Sequence, residues 1–240
     1  MLNIKKTFVA ATLAIAGLAA AGSASATVVG LYGGNSNSQI ISFLNANGHT
    51  ASNLSGLDAG TLASVDAVLL LRTGGSAALT TFVQNGGLVI TEWSAATFGM
   101  GLFGGTTAGG GFIGTGTPVT FTAAGVAGGL SAGLGASYSN GASTEFFYNI
   151  SALGSATELA TRPGSITAIV GGAVGSGFAY VNAFDWADSF SSGASANGTL
   201  ILNELANRGV AAVVPEPASI ALFGLALAGF AAARRKSKAK

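Results

Sequence analysis

Few residues in this chain can do chemistry. Its 240 residues include no cysteine and one histidine, His49, which removes thiolate nucleophiles, thiolate zinc sites and disulfide staples together. The remaining reactive types are carboxylates, a few arginines and two tryptophans. Glu92-Trp93 and Asp185-Trp186 each set an acid directly before an indole, and Asp188 follows three residues after Asp185. With Arg72 and Asn35 these residues make a candidate ligand pocket. An indole offers a flat apolar face for sugar C–H groups, and carboxylates accept hydrogen bonds from hydroxyls. The same residues also fit a structural role, in which both tryptophans plug the end of a sheet and Arg72 pairs with Glu92 or Asp185. Both readings stay open at this level.

Catalysis is less well served. Ser94 stands nearest to where a nucleophile would be, but TEWSAA lacks the glycines of a G-x-S-x-G elbow. No catalytic residue is therefore assigned. Glu92, Asp185 and Asp188 form an oxygen-only set of the kind that suits calcium or magnesium. No D-x-D-x-D-G loop accompanies them, so no metal is expected. The glycine pairs at 33–34 and 74–75 lack the GK[ST] or G-x-G-x-x-G that a phosphate loop needs, and no cofactor is expected. Two function classes follow: a non-catalytic binding protein, and a hydrolase of glycans or amides working through Glu92 and Asp185.

Composition narrows the field further. The chain is 49% apolar and 8% charged, which excludes a disordered, self-solvating polymer. The formal charge of +1 hides an asymmetry. Between residues 27 and 214 three arginines face eight carboxylates, with no lysine, for a net charge of −5. No basic footprint for nucleic acid exists.

The elements that must position these residues alternate. Residues 27–32 (TVVGLY) read as a buried strand. Residues 36–47 place Ile40, Ile41 and Leu44 at helical spacing, with Gly48 after them. Residues 49–53 suit a short strand, and 66–71 (DAVLLL) a strong one. A helix over 77–85, with Leu79, Phe82 and Val83 on one face, leads into a strand at 87–91. This order predicts an α/β fold with a parallel, doubly wound sheet. His49 precedes a strand while Ser94 follows one, so a parallel sheet puts them at opposite poles, about 15 Å or more apart. From 99 to 141, 15 of 43 residues are glycine; one continuous helix is excluded, and a loop-rich insertion with short strands such as 118–122 is expected. Strands return at 165–170 and 177–184. Asn197-Gly198-Thr199 opens a final helix, with Leu202 and Leu205 inward and Gly209 as its stop.

In VVGLYGG, DAVLLLRTGG, FVQNGGLVITEW and FAYVNAFDWADSF this order resembles the class I glutamine amidotransferase-like superfamily. The resemblance covers about 27–93 and 178–208, and implies a flavodoxin-like parallel sheet carrying the glycine-rich stretch as a loop/β insertion. Active amidotransferases of the superfamily use a Cys nucleophile with a His partner, and this chain has no cysteine. A shared fold does not transmit an activity.

The two ends are addresses. Lys5 and Lys6, an apolar run from 8 to 21, and small residues at Ala24 and Ala26 make a secretory signal peptide over residues 1–26, cut after Ala26. That route implies the Sec machinery and signal peptidase. An exported body over 27–213 follows, then a tail over 214–240. There Pro215-Glu216-Pro217 leads into an uncharged run at 218–233 (ASIALFGLALAGFAAA), closed by Arg234, Arg235 and three lysines. Sixteen helical residues rise about 24 Å, enough to serve as a transmembrane helix with snorkelling basic flanks. The tripartite ending resembles the PEP-CTERM sorting signal of Gram-negative bacteria. That resemblance implies cleavage at or near the PEP motif by an exosortase, a membrane-embedded cysteine transpeptidase-like enzyme. It also implies transient inner-membrane anchoring and a destination on the cell surface or in a secreted biofilm matrix, where exopolysaccharide is the natural partner.

Overall fold

The computed structural model describes residues 26–34, 36–139, 148–192 and 196–207. The expected signal peptide with Ala24, the sorting tail with Pro215, Glu216, Pro217, Arg234 and Arg235, Asn35 and Gly209 lie outside the described residues. Among the described residues no helix is long and apolar enough to cross a membrane.

The amino-terminal half folds as the hydrophobic pattern dictates. Strand β1 (Val28–Gly33) is followed by helix α1 (Asn37–Ala46), strand β2 (Thr50–Asn53) and the short helix α2 (Ala59–Leu62). Strand β3 (Ala67–Leu71), helix α3 (Ala77–Gln84) and strand β4 (Leu88–Glu92) come next. All five residues of β3 and of β4 are buried, which is why both read as unbroken apolar runs: helices cover both faces of a parallel sheet. The helix starts are capped locally. Asp58 accepts from the Thr61 amide at 3.0 Å ahead of α2, and Ser76 Oγ accepts from the Leu79 amide at 3.0 Å ahead of α3.

Beyond β4 come helix α4 (Ala96–Leu102), strands β5 (Thr106–Ala108) and β6 (Val119–Phe121), helix α5 (Ala123–Ala127) and strand β7 (Ser137–Tyr138). Strands β8 (Asn149–Ala152), β9 (Thr157–Arg162), β10 (Ile166–Val174) and β11 (Gly177–Asn182) precede helix α6 (Ala196–Ala206). One sheet runs in the order β2-β1-β3-β4-β11-β10-β9-β6-β7. Its first five strands are parallel, and their order is that of a flavodoxin-like sheet with β11 as the fifth strand.

The expectation of a parallel sheet holds only that far. Strands β11, β10, β9, β6 and β7 are antiparallel neighbours, so the sheet is mixed. A two-residue turn at Gly175-Ser176 returns the chain from β10 to β11, a connection that antiparallel strands alone allow. The glycine-rich stretch contributes β6 and β7 to the edge of this same sheet, while β5 pairs with β8 apart from it.

Two apolar layers sandwich the sheet. On one face Val29, Leu31, Leu69 and Ile90 meet Ile40 and Leu44 of α1 and Leu200, Ile201 and Leu205 of α6. Leu202, expected inward, is only partly buried. On the other face Val68, Leu70, Val89 and Val181 meet Leu79 and Val83 of α3 and Met100 of α4. Each such side chain, fully buried, contributes about 1.5–3 kcal/mol.

Glycine is required sterically where α5 crosses β9. A Cβ at Gly125 would stand 2.1 Å from the Leu159 carbonyl oxygen, a backbone atom that cannot step aside. Gly125→Ala should therefore cost about 1–3 kcal/mol through overpacking, read as a lower urea midpoint with an unchanged slope.

Candidate functional site

In an open α/β sheet, ligands bind beyond the carboxyl ends of the strands, at the point where the strand order reverses. Here that point lies between β1 and β3, since β2 flanks β1 on one side and β3, β4 and β11 follow on the other. Leu71 pairs with Glu92 and Val181 with Thr91, so the segments that follow β3, β4 and β11 emerge side by side. Arg72 leaves β3, Glu92 ends β4, and Asp185 and Asp188 follow β11.

The structure brings these four side chains together. Arg72 Nε lies 3.3 Å from both Glu92 oxygens. Its Nη2 donates to Asp185 Oδ1 and, at 2.8 Å, to Asp188 Oδ1. The guanidinium also lies over Trp93, its carbon 4.4 Å from the ring centroid, a cation–π contact. Glu92 is fully buried, Arg72 keeps 21% of its side chain exposed and Asp188 keeps 38%. The rim open to solvent is therefore Arg72, Asp188 and the half-buried Trp93.

Three carboxylates around one cation cannot all ionise cheaply. Burial pushes Glu92 up to about 9, and the hydrogen bond and repulsion from Asp185 add to this, against the pull of Arg72. Asp185 is raised as well, first by burial. Burial pulls Arg72 down, but Glu92, Asp185 and Asp188 outweigh it and leave the guanidinium above its ordinary value. At neutral pH the set holds a neutral Glu92 beside a charged Arg72. The guanidinium sits where the carboxylates converge, and among the described residues no group of three or more acids or histidines is placed to hold a metal ion.

Backbone strain marks the same pole. Ser36, Arg72 and Trp93 adopt φ of 56°, 53° and 51°, and each closely follows the carboxyl end of β1, β3 or β4. Left-handed backbone is costly away from glycine. At Trp93 it sits in a sharp strand-to-helix turn, where β4 gives way to a 3₁₀ turn (Trp93–Ala95) and then α4. A nucleophile elbow has that shape. Here an indole, which is not nucleophilic, occupies it, with Ser94 one residue beyond. His49 precedes β2 at the amino-terminal pole, so the structure separates it from Ser94.

The two tryptophans differ. Trp186 is fully buried; its Nε1 donates to the Thr91 carbonyl at 2.9 Å and its ring meets Phe190 edge-on at 6.0 Å. The pairing of both indoles in one pocket is corrected accordingly: Trp186 plugs the sheet end beneath the rim, and Trp93 alone reaches it. A cavity of about 580 Å³ lies at the opposite pole, lined by Leu62, Val65, Phe82 and Gly87, far from the charged cluster.

The sequence reading missed Phe112 and Ile113, 73% and 43% exposed. They lie in the segment between β5 and β6, and the Thr107 hydroxyl of β5 is 3.1 Å from that of Thr97 at the start of α4. Their signal was an apolar pair enclosed by glycines, GGGFIG, in a stretch without charge.

The architecture is an α/β fold with a large mixed sheet, and solved structures of other proteins resemble it. It is similar to a GMP synthase component from Thermoplasma acidophilum, at 13% identity and a TM-score of 0.56, covering 76% of this chain and 94% of that one. It is similar to a ThuA-like protein from Bacteroides uniformis, at 14% identity and a TM-score of 0.56, covering 77% and 93%. A glutamine amidotransferase from Thermotoga maritima matches at 10% identity and a TM-score of 0.47, over 68% and 76%. At such identities the likeness to the first two shows the fold alone. The search of curated proteins returned no match.

The chain carries a PEP-CTERM protein-sorting motif at residues 213–236. That motif marks an exported protein that passes through a membrane and is processed by an exosortase.

If Trp186 is a packing anchor, Trp186→Ala should destabilise the fold by about 3–5 kcal/mol. Urea unfolding measures this, and a loss below about 1 kcal/mol would return Trp186 to the rim.

Proposed function

We propose that the mature chain is a non-catalytic protein of the Gram-negative cell envelope or extracellular matrix, whose α/β body binds polysaccharide. The sorting motif at 213–236 carries the envelope assignment. In this reading the Sec machinery exports the chain, signal peptidase removes residues 1–26, and the apolar run at 218–233 holds the chain in the inner membrane. The exosortase then releases the body to the cell surface or a biofilm matrix.

The rim supports the binding part. Trp93 supplies an aromatic surface, Arg72 donates hydrogen bonds and the exposed Asp188 accepts them, a combination suited to vicinal hydroxyls. The occupant of the elbow supports the non-catalytic part, because an indole there removes the nucleophile and the chain has no cysteine to restore it.

A second reading, a carboxylate-dependent hydrolase of glycans or amides, draws on one observation. Burial holds Glu92 as an acid in one cluster with a second carboxyl group, Asp185, and acid–base catalysis uses such pairs of carboxyl groups. Against it, Glu92 is fully buried behind Arg72.

A glycan array probed with the mature protein tests the choice. The binding reading expects a retained polysaccharide and a loss of about tenfold in affinity for Trp93→Ala, since an aromatic contact contributes about 0.5–1.5 kcal/mol, with stability lowered by no more than the lost contact to Arg72, about 0.5–2 kcal/mol. Turnover of any glycan that Glu92→Gln abolishes would establish the hydrolase instead.

A further inference from the structure

A second polar cluster lies inside the core, under α6 and away from the rim. Glu204, on the buried face of α6, is 0% exposed, and so is Asn182 at the end of β11. Asn182 Nδ2 donates to Glu204 Oε2 at 3.1 Å. The other oxygen of each residue, Glu204 Oε1 and Asn182 Oδ1, is buried without a hydrogen-bond partner. Two orphaned acceptors on two residues already joined by one bond are costly as they stand, at about 1–3 kcal/mol apiece. A carboxylate cannot relieve them, because both atoms only accept. A carboxylic acid can: one proton on Oε1, donated to Oδ1, closes an eight-membered acid–amide ring and satisfies both at once.

We propose that Glu204 is held as a neutral acid in a cyclic pair with Asn182, and that this pair is a pH-sensitive lock fastening α6 to the sheet. The surroundings agree. Among the described residues, the titratable groups facing Glu204 from the elements packed on α6 are Tyr138 of β7 and Tyr180 of β11. The Tyr138 hydroxyl donates to Asn197 Oδ1 at 3.0 Å and that of Tyr180 to the Asn207 carbonyl at 3.0 Å. Burial raises both phenols well above their ordinary values, and Glu204 adds to it, so neither supplies a counter-charge. Burial pushes Glu204 itself up to about 8, against the hydrogen bond from Asn182. Because α6 ends at Ala206 and the sorting motif begins at 213, the lock sits on the last described element before the tail.

The sign follows from proton linkage. The folded state keeps the Glu204 proton to about pH 8 while the unfolded chain loses it near 4.5, so folding takes up one proton between those values and stability falls as pH rises through that window. Glu92 and Asp185 act in the same direction, so the test is a difference. Glu204→Gln preserves the ring, with its amide donating to Asn182 Oδ1, but cannot ionise.

Urea unfolding of wild type and E204Q between pH 5 and 7.5 should show a wild-type unfolding constant that rises about tenfold more per pH unit than the variant's. Equal pH slopes would overturn the proposal. If E204Q does not fold, carboxyl-carbon NMR of the wild-type protein decides. Two glutamate side chains, Glu92 and Glu204, should remain in the acid form at pH 7, with one of them shifted by Asn182→Leu. No second acid, or no response to N182L, would refute the pair.

Discussion

The site pole depends on a single cation. Arg72 is placed by β3 so that its guanidinium spans the ends of β4 and β11, and it touches Glu92, Asp185 and Asp188 at once. Two of those acids are buried, and a buried carboxylate without a partner costs several kcal/mol. The cation lowers that cost, and proton retention by Glu92 lowers it further. The strained turns at Arg72 and Trp93 bring the guanidinium and the indole into contact, so the energy stored in the backbone is offset by the charge network and the cation–π contact.

This constraint explains why the chemistry of the pole is narrow. The carboxylates are occupied in holding Arg72, and Trp93 fills the elbow. What faces solvent is one edge of the guanidinium, one aspartate and one indole. Such a surface can recognise hydroxyl-rich ligands, and it lacks an activated nucleophile. The proposed binding function uses that kind of surface without needing turnover.

Much of this was legible in the sequence, for identifiable reasons. DAVLLL and GLVIT are apolar on both faces because helices cover both sides of β3 and β4, and burial on both faces leaves that signature. Arg72, Glu92, Asp185 and Asp188 could be placed at one pole because each follows a strand of a parallel set. Strand β9 was not legible: TELATR interleaves Glu158 and Arg162 with apolar residues, and one of its two partners, β6, lies far back along the chain. Within the antiparallel half, β9, β10 and β11 pair through local turns, whereas the pairing of β6 with β9 joins segments far apart in the chain that no local pattern reports. The fates of the two tryptophans were also out of reach. Both follow an acid at a strand end, yet the left-handed turn at Trp93 turns one indole toward the guanidinium, while the Thr91 carbonyl draws the other inward. The Glu204–Asn182 pair left no trace in the pattern, because a glutamate on a helix reads as solvent-facing until its neighbours are known.

The measurement that tests the account most directly is the unfolding free energy of Arg72→Met against pH. If Arg72 is the cation that keeps Asp185 and Glu92 buried, R72M should lose about 3 kcal/mol at pH 7, the lower end of the cost of breaking a buried pair because part of Arg72 is exposed. The loss should shrink as pH falls toward 4, where Asp185, its affinity for the proton raised by burial, is neutralised and no longer needs a cation. A loss of the same size at both pH values, or no loss at pH 7, would contradict the account.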